Sequence, residues 1–85
     1  MNGAADWRDA KYDEVFDQET RGLERRRASD PACGVEDLEA ILMNLYHQEG
    51  SDWVGRGDLQ DTVMSATIAA YEAFVFAWKA ERQAI

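Results

Sequence analysis

The sequence predicts an all-α protein, a three-helix chain in which the long third helix pairs with the second as an antiparallel hairpin. Alanines recur at alternating spacings of four and three along the third helix, which is the pattern of a heptad seam. They are Ala66, Ala70, Ala73, Ala77, Ala80 and Ala84. In the second helix, Val35, Leu38, Leu42 and Leu45 follow the three-four spacing of an amphipathic helix. No stretch of useful length alternates as a strand does.

The chain has 85 residues and is expected to form one domain, residues 1–85. A chain this short buries only about 60–65% of its unfolded surface, so a core built by one copy is marginal. Cys33 is the only cysteine, and no secretory signal pattern is visible, which indicates a cytoplasmic protein. No apolar stretch is long enough to cross a bilayer.

The formal net charge is −8, from 17 acidic and 9 basic side chains. Such a chain repels phosphate backbones and anionic lipids at long range, so we expect neither a nucleic acid nor a membrane as partner. The acidic residues concentrate in the first two segments and in the turn that follows them. The last helix is nearly neutral, as is typical of a surface used for association.

The first helix is predicted over about residues 6–28, with Asp6 as its cap and Asp9 in its first turn. Its apolar stripe is about 100° wide. Glu19 and Arg26 fall on the same face and dilute the stripe, which predicts that this helix docks least firmly of the three. The stripe consists of Tyr12, Val15, Phe16 and Leu23.

The second helix is predicted over 34–49 and the third over 58–82. The residue before Pro31 avoids the α region, which ends the first helix, and Gly50 is a natural stop for the second. Asp58 is expected to cap the third helix, while Trp53 and Val54 in the link close the end of the bundle. The link is short, which favours antiparallel neighbours. The leucines of the second helix are expected to nest against the alanines.

The third helix is apolar around nearly its whole circumference, with only one narrow polar strip at Ser65, Glu72 and Lys79. Such a helix has to be covered on nearly all sides, and two shorter helices cannot supply that cover. We therefore expect a helical-bundle homodimer, since closed two-fold assemblies are the commonest oligomers. The candidate interface residues are Ala66, Ile68, Ala70, Tyr71, Ala73, Phe74, Val75, Phe76, Ala77 and Trp78.

Residues for catalysis are scarce. No glycine-rich phosphate loop, nucleophile elbow or zinc-ligand spacing occurs, so no catalytic residue and no cofactor is predicted. Cys33 lies near a helix start, where a thiol can become reactive, but no second cysteine accompanies it. His47 and Glu39 are weak candidates for a metal site. The Glu-x-x-His pair of carboxylate bundles is absent, because Asn44 stands three residues before His47.

Two short motifs have competing interpretations. The run of arginines at 25–27 interacts well with the negative end of the first helix dipole, and it could also grip a phosphate or an acidic partner. Arg56, Gly57 and Asp58 spell an integrin-binding tripeptide, although a glycine turn followed by a helix cap explains the same three residues.

Three classes of function follow from these observations. The favoured class is a non-enzymatic acidic helical protein that acts by protein–protein association, as an adaptor, an assembly factor or an inhibitor of a partner protein. The second is an acidic nucleic-acid mimic that inhibits a basic protein, which predicts salt-sensitive binding. The third is a helical bundle that binds a metal or ligand through carboxylates and His47.

Overall fold

The computed structural model describes residues 3–50 and 57–83, with side chains from Trp7 onward in the first range. These ranges form three helices, α1 (Gly3–Ser29), α2 (Val35–Gly50) and α3 (Asp58–Gln83), and contain no strand. The all-α prediction is confirmed. The predictions for Trp53, Val54, Arg56 and Ala84 concern positions outside the described residues.

The α1 helix starts at Gly3, so Asp6 lies inside it and is not the predicted cap. Local hydrogen bonds explain where α1 ends and α2 begins. At the break, the backbone N–H of Ala32 donates to the carboxylate of Asp30 at 3.1 Å. The carboxylate of Asp37 then reaches back to accept from the N–H of Gly34 at 2.8 Å, which satisfies a donor at the start of α2.

The start of α3 differs in one detail from the prediction. The N–H of Asp61 donates to the carbonyl of Gly57 at 3.0 Å, so Gly57 occupies the cap position and Asp58 is the first helical residue. The carboxylate of Asp58 instead forms an ion pair with Arg8 at 2.6 Å. A carboxylate in the first turn also suits the positive end of the helix dipole.

The α3 helix lies between the other two, and its contacts with α2 show an antiparallel pair. Polar side-chain contacts join these helices, and residues from the start of α2 contact the end of α3. The contacts are Glu36 with Arg82 at 3.2 Å, Glu39 with Lys79, and Tyr46 with Glu72 at 2.5 Å.

The α1 helix runs parallel to α3. Arg8 near its start pairs with Asp58 at 2.6 Å, and Arg27 near its end pairs with Glu81 at 2.8 Å. Between these ends α1 packs against α3 more extensively than α2 does, and the described backbones of α1 and α2 do not approach each other closely. The dilution of the apolar stripe by Glu19 and Arg26 therefore does not prevent α1 from packing along α3, while how firmly α1 docks stays a prediction.

Side chains from all three helices meet in one hydrophobic cluster. Among the large side chains of this cluster, Leu38 of α2 is the most buried, at 1% exposure. The aromatic residues of α3 cover the cluster without being fully enclosed. Its buried members are Leu23, Cys33, Val35, Leu38 and Val75, with Ile41, Tyr71, Phe74 and Trp78 packed around them.

The alanines of α3 do not receive the leucines of α2 as predicted. Val75 belongs to the cluster with Leu38, and successive helical residues are about 100° apart, so Ala66 and Ala70 lie roughly on the opposite side of α3 from Ile68 and Val75. That side faces α1. Ala66 and Ala70 are buried there, whereas the later alanines, Ala73, Ala77 and Ala80, are exposed.

Candidate protein interface

A groove of about 600 Å³ separates the C-terminal halves of α1 and α3. Two of the exposed alanines, Ala73 and Ala77, line it, so their small side chains leave space that a larger residue would fill. Apolar side chains and one cluster of charges share the lining. The lining residues are Phe16, Thr20, Glu24, Arg27, Ala28, Ala73, Phe74, Ala77 and Glu81.

Arg27 organises one end of this groove. Its guanidinium donates two hydrogen bonds to the carboxylate of Glu81, at 2.8 and 3.2 Å, in the bidentate geometry that arginine favours. It also lies 4.1 Å from the centre of the Trp78 ring, a cation–π distance. Trp78 in turn meets the ring of Phe74 edge-on at 6.0 Å. This member of the arginine run is thus engaged within the chain.

Phe76 is the most exposed large hydrophobic side chain in the described part of the chain, at 75%. It follows Ala73 by three residues and precedes Ala80 by four, so all three lie along the same side of α3. Ala69, four residues before Ala73, extends this side and is half-buried. We call Ala69, Ala73, Phe76 and Ala80 the Phe76 face. It borders the groove, because Ala73 belongs to both.

The edge of the Phe76 face that lies toward α2 is charged. Glu72 accepts a hydrogen bond from the hydroxyl of Tyr46 at 2.5 Å, and this bond raises the pKa of Tyr46 above its ordinary value. Lys79, seven residues after Glu72, forms an ion pair with Glu39. An anion and a cation therefore lie two turns apart along the same edge.

The ten predicted interface residues fall into three groups in the structure. Tyr71, Phe74 and Trp78 are half-buried against the core cluster. Ala73, Phe76 and Ala77 are exposed. The remaining four are buried within the single chain, so the exposed members of the predicted set all lie in the C-terminal half of α3. Those four are Ala66, Ile68, Ala70 and Val75.

The other candidate sites are not brought together. Glu39 is paired with Lys79, and His47 lies exposed near the end of α2. Within residues 3–50 and 57–83 there is no group of three or more His, Cys, Asp and Glu side chains that could hold a metal ion. Cys33 is buried in the core cluster. None of the helices in the described ranges has the length and apolar character needed to cross a membrane.

The carboxylates of Glu36 and Glu81 join the helices, and the shifts of their pKa values predict how the stability of the protein depends on pH. A hydrogen bond from Arg27 holds the pKa of Glu81 below its ordinary 4.5. The pKa of Glu36 is likewise lowered from 4.5, first by a hydrogen bond from its own backbone N–H and then by Arg82. A carboxylate whose pKa is lower in the folded than in the unfolded protein stabilises the folded state at pH values above its ordinary pKa. This stabilisation is lost as the pH falls through the folded-state pKa.

We expect the double variant Glu36→Gln/Glu81→Gln to be less stable than the parent at pH 7 and equal to it at a pH well below the folded-state pKa values. Urea unfolding of both proteins across this pH range measures the difference. Because the two ion pairs are exposed, the effect at pH 7 is small. A difference that stays constant down to the lowest pH would mean that the charges of these carboxylates do not contribute.

Comparison with known proteins adds no further constraint. No protein-family model matches the chain. No significant match was found among curated proteins or among solved structures. The function therefore has to be inferred from the exposed half of α3 and its surroundings.

Proposed function

We propose that the protein is non-enzymatic and acts by protein–protein association, as an adaptor, an assembly factor or an inhibitor of a partner protein. We further propose that it assembles as a helical-bundle homodimer through the Phe76 face. The observation that carries this proposal is the exposure of Phe76, which is 75%, beside an unfilled apolar groove. An exposed aromatic next to a groove is typical of a binding surface.

The expected gain from covering this face is substantial. Moving a phenylalanine side chain out of water contributes about 1.5–3 kcal/mol. A two-fold dimer covers two copies of Phe76 and the adjoining alanines of both chains. Because small side chains let two helices approach closely, Ala73 and Ala80 add contact area without obstructing the phenylalanine.

The distribution of charge supports a second copy as the occupant. The whole chain carries a net charge of −8, so two copies repel each other in most orientations. The segment 69–83 is an exception, since its two carboxylates are balanced by two cations. These are Glu72, Glu81, Lys79 and Arg82.

Glu36, Asp37 and Glu49 of α2 are exposed, whereas Glu39 is paired with Lys79 at the edge of the Phe76 face. Helix α2 has four carboxylates and no lysine or arginine. This acidic surface is where an adaptor or inhibitor would meet a further, basic partner. The buried, single Cys33 is compatible with a reducing compartment, and a cytoplasmic location is part of the proposal.

The outer surface of α2 also supports the nucleic-acid-mimic alternative. A mimic would bind a basic protein through these carboxylates, and its affinity would fall steeply as salt is raised. Such binding, if it persists in a variant that no longer dimerises, favours the mimic. Stoichiometric metal in protein purified without chelator, lost in His47→Ala, would instead favour the metal-binding alternative.

The substitution Phe76→Glu tests the proposed interface. We expect the parent to sediment as a dimer at micromolar concentration and Phe76→Glu to associate at least about tenfold more weakly, since a glutamate carboxylate loses hydration when this apolar face is covered. Leu59→Glu is the matched control, because Leu59 is 51% exposed and lies at the start of α3, about 25 Å along the helix from Phe76. It should dimerise like the parent.

Circular dichroism of both variants confirms that the helices remain folded. A parent that stays monomeric at about 100 µM, a concentration that populates even weak dimers, contradicts the homodimer. If Phe76→Glu dimerises as the parent does, the interface lies on another face.

A further inference from the structure

We infer that the two copies pack with their α3 helices antiparallel, so that Phe76 of each copy sits against Ala73 of the other and Glu72 of each lies beside Lys79 of the other. This inference depends on the proposed homodimer and specifies its geometry. The residues that carry it are the Phe76 face and its charged edge.

Side-chain size selects the antiparallel arrangement. In a two-fold interface, if residue i contacts residue j of the second copy, then j contacts i in return. An axis that passes between Ala73 and Phe76 therefore sets the large side chain of each copy over the small one of the other. The same axis pairs Ala69 with Ala80. Since Ala73 lines the groove, the space that Phe76 needs is already present.

A parallel arrangement matches the same surface poorly. Equivalent residues then meet at the same height, so Phe76 contacts Phe76 and Ala73 contacts Ala73. The two phenylalanines hold the helices apart, and the paired alanines leave a gap beside them. Atoms that line a gap in an interface lack the van der Waals contacts that favour association.

The charged edge agrees with the same axis. When two helices face each other in opposite directions about a two-fold axis, the same edge of each meets. Along α3, the two-fold axis crosses the helix midway between Ala73 and Phe76. The midpoint between Glu72 and Lys79 lies about one residue, or 1.5 Å, further along the helix. Glu72 of one copy then lies next to Lys79 of the other, twice per dimer. Each pair is continuous with an internal contact, Tyr46 to Glu72 or Glu39 to Lys79.

Disulfide trapping tests the direction of the helices. Ala69→Cys and Ala80→Cys are made as separate variants, one of them labelled with ¹⁵N, then mixed and oxidised. The antiparallel register predicts a roughly tenfold excess of mixed disulfides over symmetric ones, because bonded cysteines need Cα atoms within about 7 Å. In that register, residue 69 and its own copy are separated by about 16 Å along the axis.

The parent, whose only thiol is the buried Cys33, gives the background yield. Symmetric disulfides in excess would show a parallel dimer and overturn the inference. If the parent sediments as a dimer but the cysteine variants give no more disulfide than this background, the antiparallel register is also overturned, while the proposed homodimer stands. A monomeric parent would remove both.

Charge reversal tests the paired edge. Glu72→Lys alone places two cations at each pair and Lys79→Glu alone places two anions, so each variant should associate about tenfold more weakly than the parent. Mixing the two variants restores opposite charges at both pairs, so the mixture should recover the lost association. The internal contacts of Glu72 and Lys79 are not restored by mixing, which separates pairing between copies from an effect on the fold.

A mixture that associates as weakly as its components contradicts the pairing of Glu72 with Lys79. Single variants that dimerise like the parent contradict it as well, and in that case the homodimer itself remains.

Discussion

Replacing Leu38 with alanine is expected to lower the free energy of unfolding by about 2–5 kcal/mol. Leu38 is 1% exposed and lies in the cluster shared by all three helices. Truncation leaves a cavity lined by side chains from separate helices, which cannot all move to fill it. The marginal core of a short chain makes this loss a large fraction of the total stability.

The matched control for this change is Leu59→Ala, since Leu59 is 51% exposed at the start of α3. The control is expected to change the free energy of unfolding by no more than about 0.5 kcal/mol. Urea unfolding measures both, at a protein concentration below that at which the parent associates. Equal losses in the two variants would mean that the cluster does not hold the helices together.

Replacing Ala66 with leucine is expected to destabilise the protein by about 1–3 kcal/mol through overpacking. Ala66 is 0% exposed, on the side of α3 that faces α1. A leucine there pushes α1 away from α3 and disturbs the more extensive of the two helix contacts. Helix propensity hardly changes, because alanine and leucine are both strong helix formers.

Ala40→Leu provides the same substitution at an exposed position of α2 and should leave stability nearly unchanged. Ala77→Leu, in the exposed half of α3, should also leave the single chain stable, because its side chain enters the groove. Urea unfolding of all three variants at low protein concentration gives the comparison. Tolerance of leucine at Ala66 would show that α1 does not pack closely on this part of α3.

The three helices could be predicted from the sequence because their signals are local. Proline and glycine mark the break near Pro31 and the end of α2 at Gly50, and the apolar spacing within α2 is regular. In α2 this spacing identified the residues that prove to be buried, since an amphipathic helix has only one side to bury. Val35, Leu38 and Leu42 are buried there.

The orientation of α3 could not be predicted in the same way. Alanines, aromatics and branched residues surround this helix, so hydrophobicity alone does not show which side meets α1 and which meets α2. The sequence pattern predicts that the alanines of α3 pack against α2, whereas Val75 occupies that position in the structure. The decisive contacts join residues far apart in sequence, such as Arg27 and Glu81.

The exposure of Phe76 could not be predicted from the polar strip of α3 alone. Phe76 stands between Glu72 and Lys79, two of the three members of that strip. Val75 and Ile68 border the same strip on its other side and are buried. Which flank of the strip faces solvent is decided by where α2 packs, and that contact joins residues far apart in sequence.

The central position of α3 also constrains how the chain acquires its structure during translation. Both α1 and α2 precede α3, and each packs its backbone against α3, not against the other. The ribosome therefore has to produce most of α3 before the earlier helices find their docking surface. Until then Leu23 and Leu38 lack the cover that Val75 and the aromatic residues of α3 provide, so acquisition of the native state follows synthesis of α3.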